Sequence, residues 1–363
     1  MTKQLAINGK FAAQRFTGVQ RVAEQLVREL DIIAEAAEIT IFLPPGSRHL
    51  GLSRIHEKEV GPKGLPLHIW EQLILPQAAK GHLLLNLSGS APAFFNRQIC
   101  LMHDAAVFDT PSAYKLAFVF WYRWLYRRIS RHSDFVLTVS EFSRIRLMSV
   151  LNLKPEKLLV MPNAADHFDN RSITAKELEE YLNKYALSPG KYILAVGSKN
   201  PNKNLNGLMQ AHASLPTDRL PLVVVGGSNP TVFAPIGPKI TSDVIDVGSI
   251  NDKTLCMLYQ GARALVFPSL YEGFGLPPLE AMVMGCPVIA SDAGALPETC
   301  GDAALYVKPK DVDGIAEAIR RVSVDDLLFA QLSSAGRNRA TLFRWSNTAE
   351  RLATALSQSG LRM

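Results

Sequence analysis

Short blocks of apolar residues alternate with helical patterns along almost the whole chain, and few folds satisfy that alternation. In the first half the blocks are QLAIN, ITIFL, LLLNL, ICLMH, DFVLTVS and KLLVMP; in the second they are YILAVG, LPLVVVGG, VIDVG, ALVFPS, PVIAS and ALYVKP. Strands this short and this continuously apolar suit a parallel sheet covered by helices on both faces. Between the first two blocks, Gly18 opens the helix VQRVAEQLVREL, whose Val19, Val22, Leu26 and Leu30 fall on one face. A turn-rich junction, LSPGKY at residues 187–192, divides the two series.

A chain of 363 residues is long enough for two cores. The expected fold is α/β, with two Rossmann-like domains facing each other across a cleft lined by loops from the strand C-termini. Residues 1–170 are assigned to the first domain and 185–340 to the second, with the link near 167–190. The closing segment, 341–363, contains the amphipathic pattern RWSNTAERLATALSQ, a helix available to pack back on the first domain with Ser346 or Asn347 as its cap.

Composition narrows the class. Hydrophobic residues make up 47% and charged residues 20%, an ordinary globular balance without the charge excess of a disordered chain. A net charge of +6 suits an anionic substrate or a membrane surface and does not by itself exclude nucleic acid. The four cysteines, Cys100, Cys256, Cys286 and Cys300, lie in or near apolar segments without C-x-x-C spacing and read as buried thiols. MTKQLAINGK carries no apolar signal region, and no uncharged run is long enough to span a bilayer, so a cytoplasmic protein is expected, with room for peripheral attachment to the inner face of the membrane.

The stretch richest in chemistry is LVFPSLYEGFGLPPLEAMVMGCPVIASD, Leu265 to Asp292. Two strand-like blocks enclose a helix of roughly two turns, with Pro277 and Pro278 in its first turn and Gly285 at its end. Glu280 is also placed in that first turn. Gly273 and Gly275 let backbone amides approach a ligand closely, and the helix N-terminus that follows favours an anion. A dinucleotide fingerprint fails because Pro278 stands where its third glycine belongs. Glu272 before the helix and Glu280 within it instead suit hydroxyl groups on either side of an anion, as in a sugar and a ribose joined by a diphosphate. Taken alone, the two glutamates read equally well as a solvated loop residue and a partner of the helix dipole.

The neighbouring blocks decide between these readings. FTGVQRVAEQL, LMHDAAVFD, TVSEFSR, PNAAD, AVGSKNPNKNLNGL, VGSIND and PSLYEGFGLPPLEAMVMGCPVIASDAGALPE together cover most of the chain. They resemble the retaining glycosyltransferases of family four, which have the GT-B fold and an E-x7-E pair, here Glu272 and Glu280. TGVQR, HIWEQLILP and MHD look most like bacterial exopolysaccharide and O-antigen mannosyltransferases. The resemblance implies transfer of a hexosyl group, mannosyl first, from a nucleoside diphosphate sugar to a hydroxyl of a glycan or lipid-diphosphate-linked oligosaccharide in exopolysaccharide or lipopolysaccharide biosynthesis. GDP-mannose is the implied donor, a substrate rather than a cofactor, and no nucleic acid is implied. Glucosyl or rhamnosyl transfer and non-catalytic nucleotide-sugar binding are the alternatives. A glycan phosphorylase would need a cofactor-bearing lysine and usually a much longer chain.

Roles carry over position by position. Glu280 would bind the ribose hydroxyls and Glu272 those of the donor sugar, with the amides of Gly273, Phe274, Gly275 and Leu276 beside sugar and phosphates. Lys203 would neutralise the diphosphate as it leaves, the backbone at Gly18 would approach the phosphates, and His103 would reach the donor sugar. His103, Glu272 and Lys203 are thus the expected catalytic residues. Many relatives carry arginine where this chain has Asn202, which leaves compensation to Lys199 or another basic residue. Retention would ordinarily suggest a carboxylate nucleophile and its partner, and no such pair is evident; the resemblance implies front-face attack instead, in which the departing phosphate takes the acceptor proton.

Two further segments require a reading. Asp311-Val312-Asp313 spells the D-x-D of metal-dependent sugar transferases, yet its context makes Asp311 a helix cap with Asp313 in the first turn, so no catalytic metal is expected. KLAFVFWYRWLYRRISR, Lys115 to Arg131, is basic and aromatic without an acid. It reads as a helix packed by its aromatics, or as one bordering the acceptor site that leans on an anionic membrane.

Overall fold

The first strand of each unit sits in the middle of its sheet. The computed structural model describes residues 4–34, 38–169, 173–227, 232, 243–359 and 361. It divides into an N-terminal unit, Met1–Phe108, Val119–Asn163 and Trp345–Met363, and a C-terminal unit, Asp109–Phe118 and Ala164–Arg344. The N-terminal sheet contains β1 (Leu5–Asn8), β2 (Ile39–Leu43), β3 (His56–Glu59), β4 (Leu83–Asn86), β5 (Gln98–Leu101), β6 (Ser133–Thr138) and β7 (Leu158–Val160). Its order is β3-β2-β1-β4-β5-β6-β7, every pair parallel. The C-terminal sheet contains β8 (Ile193–Val196), β9 (Leu222–Val225), β10 (Val244–Gly248), β11 (Ala264–Phe267), β12 (Val288–Ser291) and β13 (Ala304–Val307). Its order, β10-β9-β8-β11-β12-β13, is again parallel throughout. Strand order reverses at β1 and at β8, and in open α/β sheets that reversal opens a crevice beyond the strand C-termini.

The helices that bear on function are α1 (Gly18–Ile33), α2 (Leu116–His132), α3 (Asp252–Gly261), α4 (Leu276–Val283) and α5 (Val312–Val324). In α1 the 3.6-residue pattern buries Val22, Leu26 and Leu30. The C-terminal core joins Ile193, Val224, Val266 and Ile289 from four strands to Ile315 and Ile319 of α5. The last helix, Trp345–Gln358, belongs to the N-terminal unit and packs on α1, burying Trp345, Leu352 and Leu356. Among the described residues no helix is long and apolar enough to cross a membrane.

All twelve apolar blocks form strands, and several details differ from expectation. The thirteenth strand, β3, reads HEKE and is largely exposed. It has no apolar alternation because it pairs only with β2 at the sheet edge, where charge protects against further pairing. Glu280 is the fifth residue of α4, in its second turn, because the helix begins at Leu276 ahead of both prolines. The terminal helix starts at Trp345, so Ser346 and Asn347 lie inside its first turn rather than capping it. Residues 109–118 group with the C-terminal unit, interrupting the N-terminal one. Residue 170, the expected end of the first domain, and residues 171 and 172 of the expected link lie outside the described residues.

Asp311 is the N-cap of α5, its carboxylate accepting from the Gly314 N–H at 2.9 Å, and Asp313 follows in the first turn. Asp311→Ala should therefore lower the stability of the C-terminal unit by about 1 kcal/mol, read as a shift of its denaturant midpoint at unchanged slope.

Candidate active site

In the C-terminal unit the loops that leave β8 and β11 meet at the point of strand reversal. The loop after β8 ends in Asn204, whose left-handed backbone (φ 52°) turns the chain and whose side-chain amide donates to the carbonyls of Pro268 and Pro309. That clamp holds Lys203, whose Nζ lies 2.6 Å from Glu272 Oε1 and 4.7 Å from the centroid of the Phe267 ring. Side-chain exposure is 21% for Lys203 and 11% for Glu272, so the pair is partly open to solvent. The backbone of Glu272 is gripped by the turn after β12. Ala295 N–H donates to its carbonyl at 3.0 Å, and a Cβ at Gly294 (φ +63°) would fall 2.5 Å from that oxygen and 2.7 Å from the Glu272 nitrogen.

The next turn of the loop presents a helix end. Gly275, at φ +106°, occupies the N-cap of α4, and no side chain caps the helix. Of its first three residues, Leu276, Pro277 and Pro278, only Leu276 carries an N–H. An anion here meets a few fixed amides together with the positive end of the helix dipole. Glu280 faces elsewhere along the same helix: it is buried, and Tyr259 of α3 donates its hydroxyl to Glu280 Oε2 at 3.0 Å.

The N-terminal unit carries two of the expected residues. Gly18 is the first residue of α1, after Thr17 at the N-cap. His103 follows β5. Its ring bonds to the backbone of Leu87, while Nε2 is buried with no hydrogen-bond partner among the described residues. Burial depresses the imidazole pKa to about 4, against the opposing pull of the Leu87 backbone. The ring is therefore neutral at physiological pH, with Nε2 as an acceptor.

The structure thus joins Lys203 to Glu272 directly, places Gly273, Phe274 and Gly275 in the loop that leads into α4 with Leu276 as the first residue of the helix, and gives Glu280 a separate partner. Asn202 is buried, its amide bonded to Thr110 Oγ1 at 3.0 Å, and Lys199 is paired with Asp246. Tyr259 and Gly294 have no local signature and emerge only from the fold. All four cysteines are buried thiols outside any disulfide among the described residues, and burial pushes the Cys286 and Cys300 thiols up to about 12. Such thiols are inert at neutral pH.

Residues 177–339 match the family model described as glycosyl transferases group 1. The chain is 34% identical over 266 residues to the O-antigen chain mannosyltransferase B of Escherichia coli, covering 70% of this chain and 69% of that protein. It is 28% identical over 227 residues to the serotype-specific mannosyltransferase WbdA of the same species, 60% of this chain but only 28% of that longer protein. The fold is similar to that of Anabaena Alr3699/HepE solved in complex with UDP-glucose: TM-score 0.74 at 17% identity, over 99% of this chain and all of the other.

Gly294→Ala should destabilise the C-terminal unit by about 1–3 kcal/mol more than Gly190→Ala. Both glycines have positive φ, but an added Cβ at Gly190 has no heavy atom within 4 Å. Denaturant midpoints of the two variants test this, and equal losses would show that the turn does not press on Glu272.

Proposed function

Since the chain belongs to the group 1 glycosyl transferases, with the GT-B fold, we propose that it transfers a mannosyl group from GDP-mannose to a hydroxyl of a lipid-linked glycan with retention of configuration. Glycosyl transfer in polysaccharide biosynthesis is supported by the O-antigen mannosyltransferase relatives; the donor, acceptor and residue roles are the proposal. The mannosyl assignment is supported by the 34% identity to an O-antigen mannosyltransferase. The site roles are carried by one observation, the Lys203–Glu272 pair beside the uncapped start of α4.

That pair holds charge in readiness. Before the donor binds, Glu272 neutralises Lys203; when a diphosphate arrives, Nζ turns to the phosphate and the carboxylate is released to accept hydrogen bonds from sugar hydroxyls. The ammonium then opposes the charge that grows on the leaving phosphate in the transition state. Glu280, steadied by Tyr259, accepts from the ribose hydroxyls equally in ground and transition states. His103 Nε2 accepts from a hydroxyl of the donor sugar. The departing phosphate takes the acceptor proton, and catalysis rests on positioning and charge stabilisation without a metal.

Among nucleotide sugars, GDP-mannose at 100 times its dissociation constant should stabilise the protein by about 2.7 kcal/mol, with smaller effects from UDP-glucose and dTDP-rhamnose. A stronger effect of another donor in the thermal-shift screen overturns the mannosyl assignment. Lys203→Ala should lower kcat by about 10²–10³-fold, whereas Glu280→Ala should raise the donor KM with a smaller change in kcat, and EDTA should leave transfer intact.

A membrane contact through α2 is supported by its surface. Phe120 is 71% exposed, Trp121 37% and Trp124 43%, and Phe94 beside Trp124 is 73% exposed. Aromatics that merely packed a core would be covered. Arg128 lies over the Phe94 ring, while Arg123 is occupied in donating to the carbonyls of Val107 and Phe108. Arg127, Arg128 and Arg131 are then the residues that attract anionic lipid, each worth roughly 1 kcal/mol and screened by salt. Changing these three to Gln should release the protein from phosphatidylglycerol vesicles in a sedimentation assay, with only a small fall in melting temperature from the loss of the Arg127–Phe108 and Arg128–Phe94 contacts. Wild-type binding that is absent or insensitive to salt overturns the membrane contact.

A further inference from the structure

The N-terminal unit holds a buried polar network at its own point of strand reversal. Lys10, just after β1, is 1% exposed and its Nζ lies 2.7 Å from Glu71 Oε2, on a side chain that is fully buried. Glu71 Oε1 accepts from Asn8 Nδ2 and from Ser90 Oγ, each at 2.9 Å, and Lys10 also reaches Ser90 Oγ. Gln72, the next residue, donates to the Ala91 carbonyl at 3.0 Å and accepts from the Ala93 N–H at 2.8 Å. Both residues come from Trp70–Ile74, a π-helical turn. Such turns recur at functional sites.

These contacts converge on one loop. The segment after β4 is held at Ser90, Ala91 and Ala93, and at its start by Asn86, which bonds to Asn8 and to Gln98. Its Leu87 backbone is the partner of the His103 ring, and a Cβ at Gly89 would lie 3.6 Å from His103 Cδ2. A buried ion pair is weak support for stability, because apolar residues of similar volume serve as well or better. What such a pair can provide is a fixed geometry. We propose that Lys10, Glu71 and Gln72 are positioning residues: they lock the loop after β4 so that the Leu87 carbonyl takes the Nδ1–H of His103 and keeps Nε2 unprotonated, as acceptor for a hydroxyl of the donor sugar.

The inference rests on the glycosyl-transfer reading for its consequence, while its geometry can be tested apart from it. The variants Ser90→Ala and Gln72→Ala remove the network's contacts to Ser90, Ala91 and Ala93 without stranding a buried charge. In long-range 1H–15N spectra at pH 7.5, wild-type His103 should show the single Nδ1–H tautomer, and the combined variant should shift toward a mixture of tautomers. In transfer assays the combined variant should lose kcat/KM by about tenfold or more in the wild-type background. In a His103→Ala background the same changes should cost less than twofold, since the residue they position is gone. Unchanged His103 resonances, or equal losses in both backgrounds, overturn the proposal. If no donor supports transfer, the functional reading fails while the tautomer measurement still decides the positioning role.

Discussion

Parallel pairing on both flanks of an early strand is the constraint from which the rest follows. Leu5 is in register with Ile39 of β2 on one side and with Leu83 of β4 on the other, and Ile193 likewise pairs with Leu222 of β9 and Ala264 of β11. Parallel neighbours require crossovers, so every strand delivers its outgoing loop to the same end of the sheet. At the reversal the loops from the two neighbouring strands meet and their side chains come into contact. Lys203 follows β8 and Glu272 follows β11, 69 residues apart in sequence and 2.6 Å apart in space. In the other unit, Lys10 follows β1 and Ser90 follows β4, with Glu71 joining both.

Each sheet thus carries a lysine–glutamate pair at the equivalent place, and burial gives the two pairs different capacities. Lys10 and Glu71 are sealed from solvent, so removing either partner strands a charge at a cost of about 3–5 kcal/mol. Such a pair does not change partners. Lys203 and Glu272 keep enough exposure for water to share their solvation, so the proposed exchange of the carboxylate for an anion would leave neither charge bare. The sealed pair suits fixing a loop, and the open one suits exchanging an internal partner for a ligand.

The strands of both sheets were legible because a strand covered on both faces must be apolar along its length, as LAIN, LVVV and ALVF are. HEKE was not, since an exposed edge strand is specified by its neighbour and not by its own side chains. Pro277 and Pro278 marked the start of α4, but the helix begins earlier, at Leu276, which moves Glu280 from the first turn into the second. Lys203 and Glu272 were found separately; their direct pairing is a property of topology that no local pattern encodes. HIWEQLILP stood out in the sequence without a role. Its Glu71 and Gln72 acquire one only when β1 and β4 become neighbours.

Asn202 raises the question of how the proposed donor site manages the charge of two phosphates. Its amide is committed to Thr110 and its carbonyl accepts from Leu270 N–H at 2.7 Å, while Lys199 is committed to Asp246. What this loop and α4 present to a diphosphate is one lysine and a helix end worth about half a charge. Hydrogen bonds donated by backbone amides can add to this, and they are effective only if they do not have to reorganise. The loop before α4 is built accordingly. Thr299 Oγ1 donates to the Phe274 carbonyl at 2.6 Å, and the Phe274 ring is buried edge-on against Phe343 with centroids 5.7 Å apart. Gly275 lies so close to Leu296 that a Cβ would approach its Cδ2 to 2.6 Å. With Asn202 and Lys199 committed elsewhere, the amides of Gly275 and Leu276 are held in place by packing on both sides, a rigidity that suits the proposed diphosphate contact.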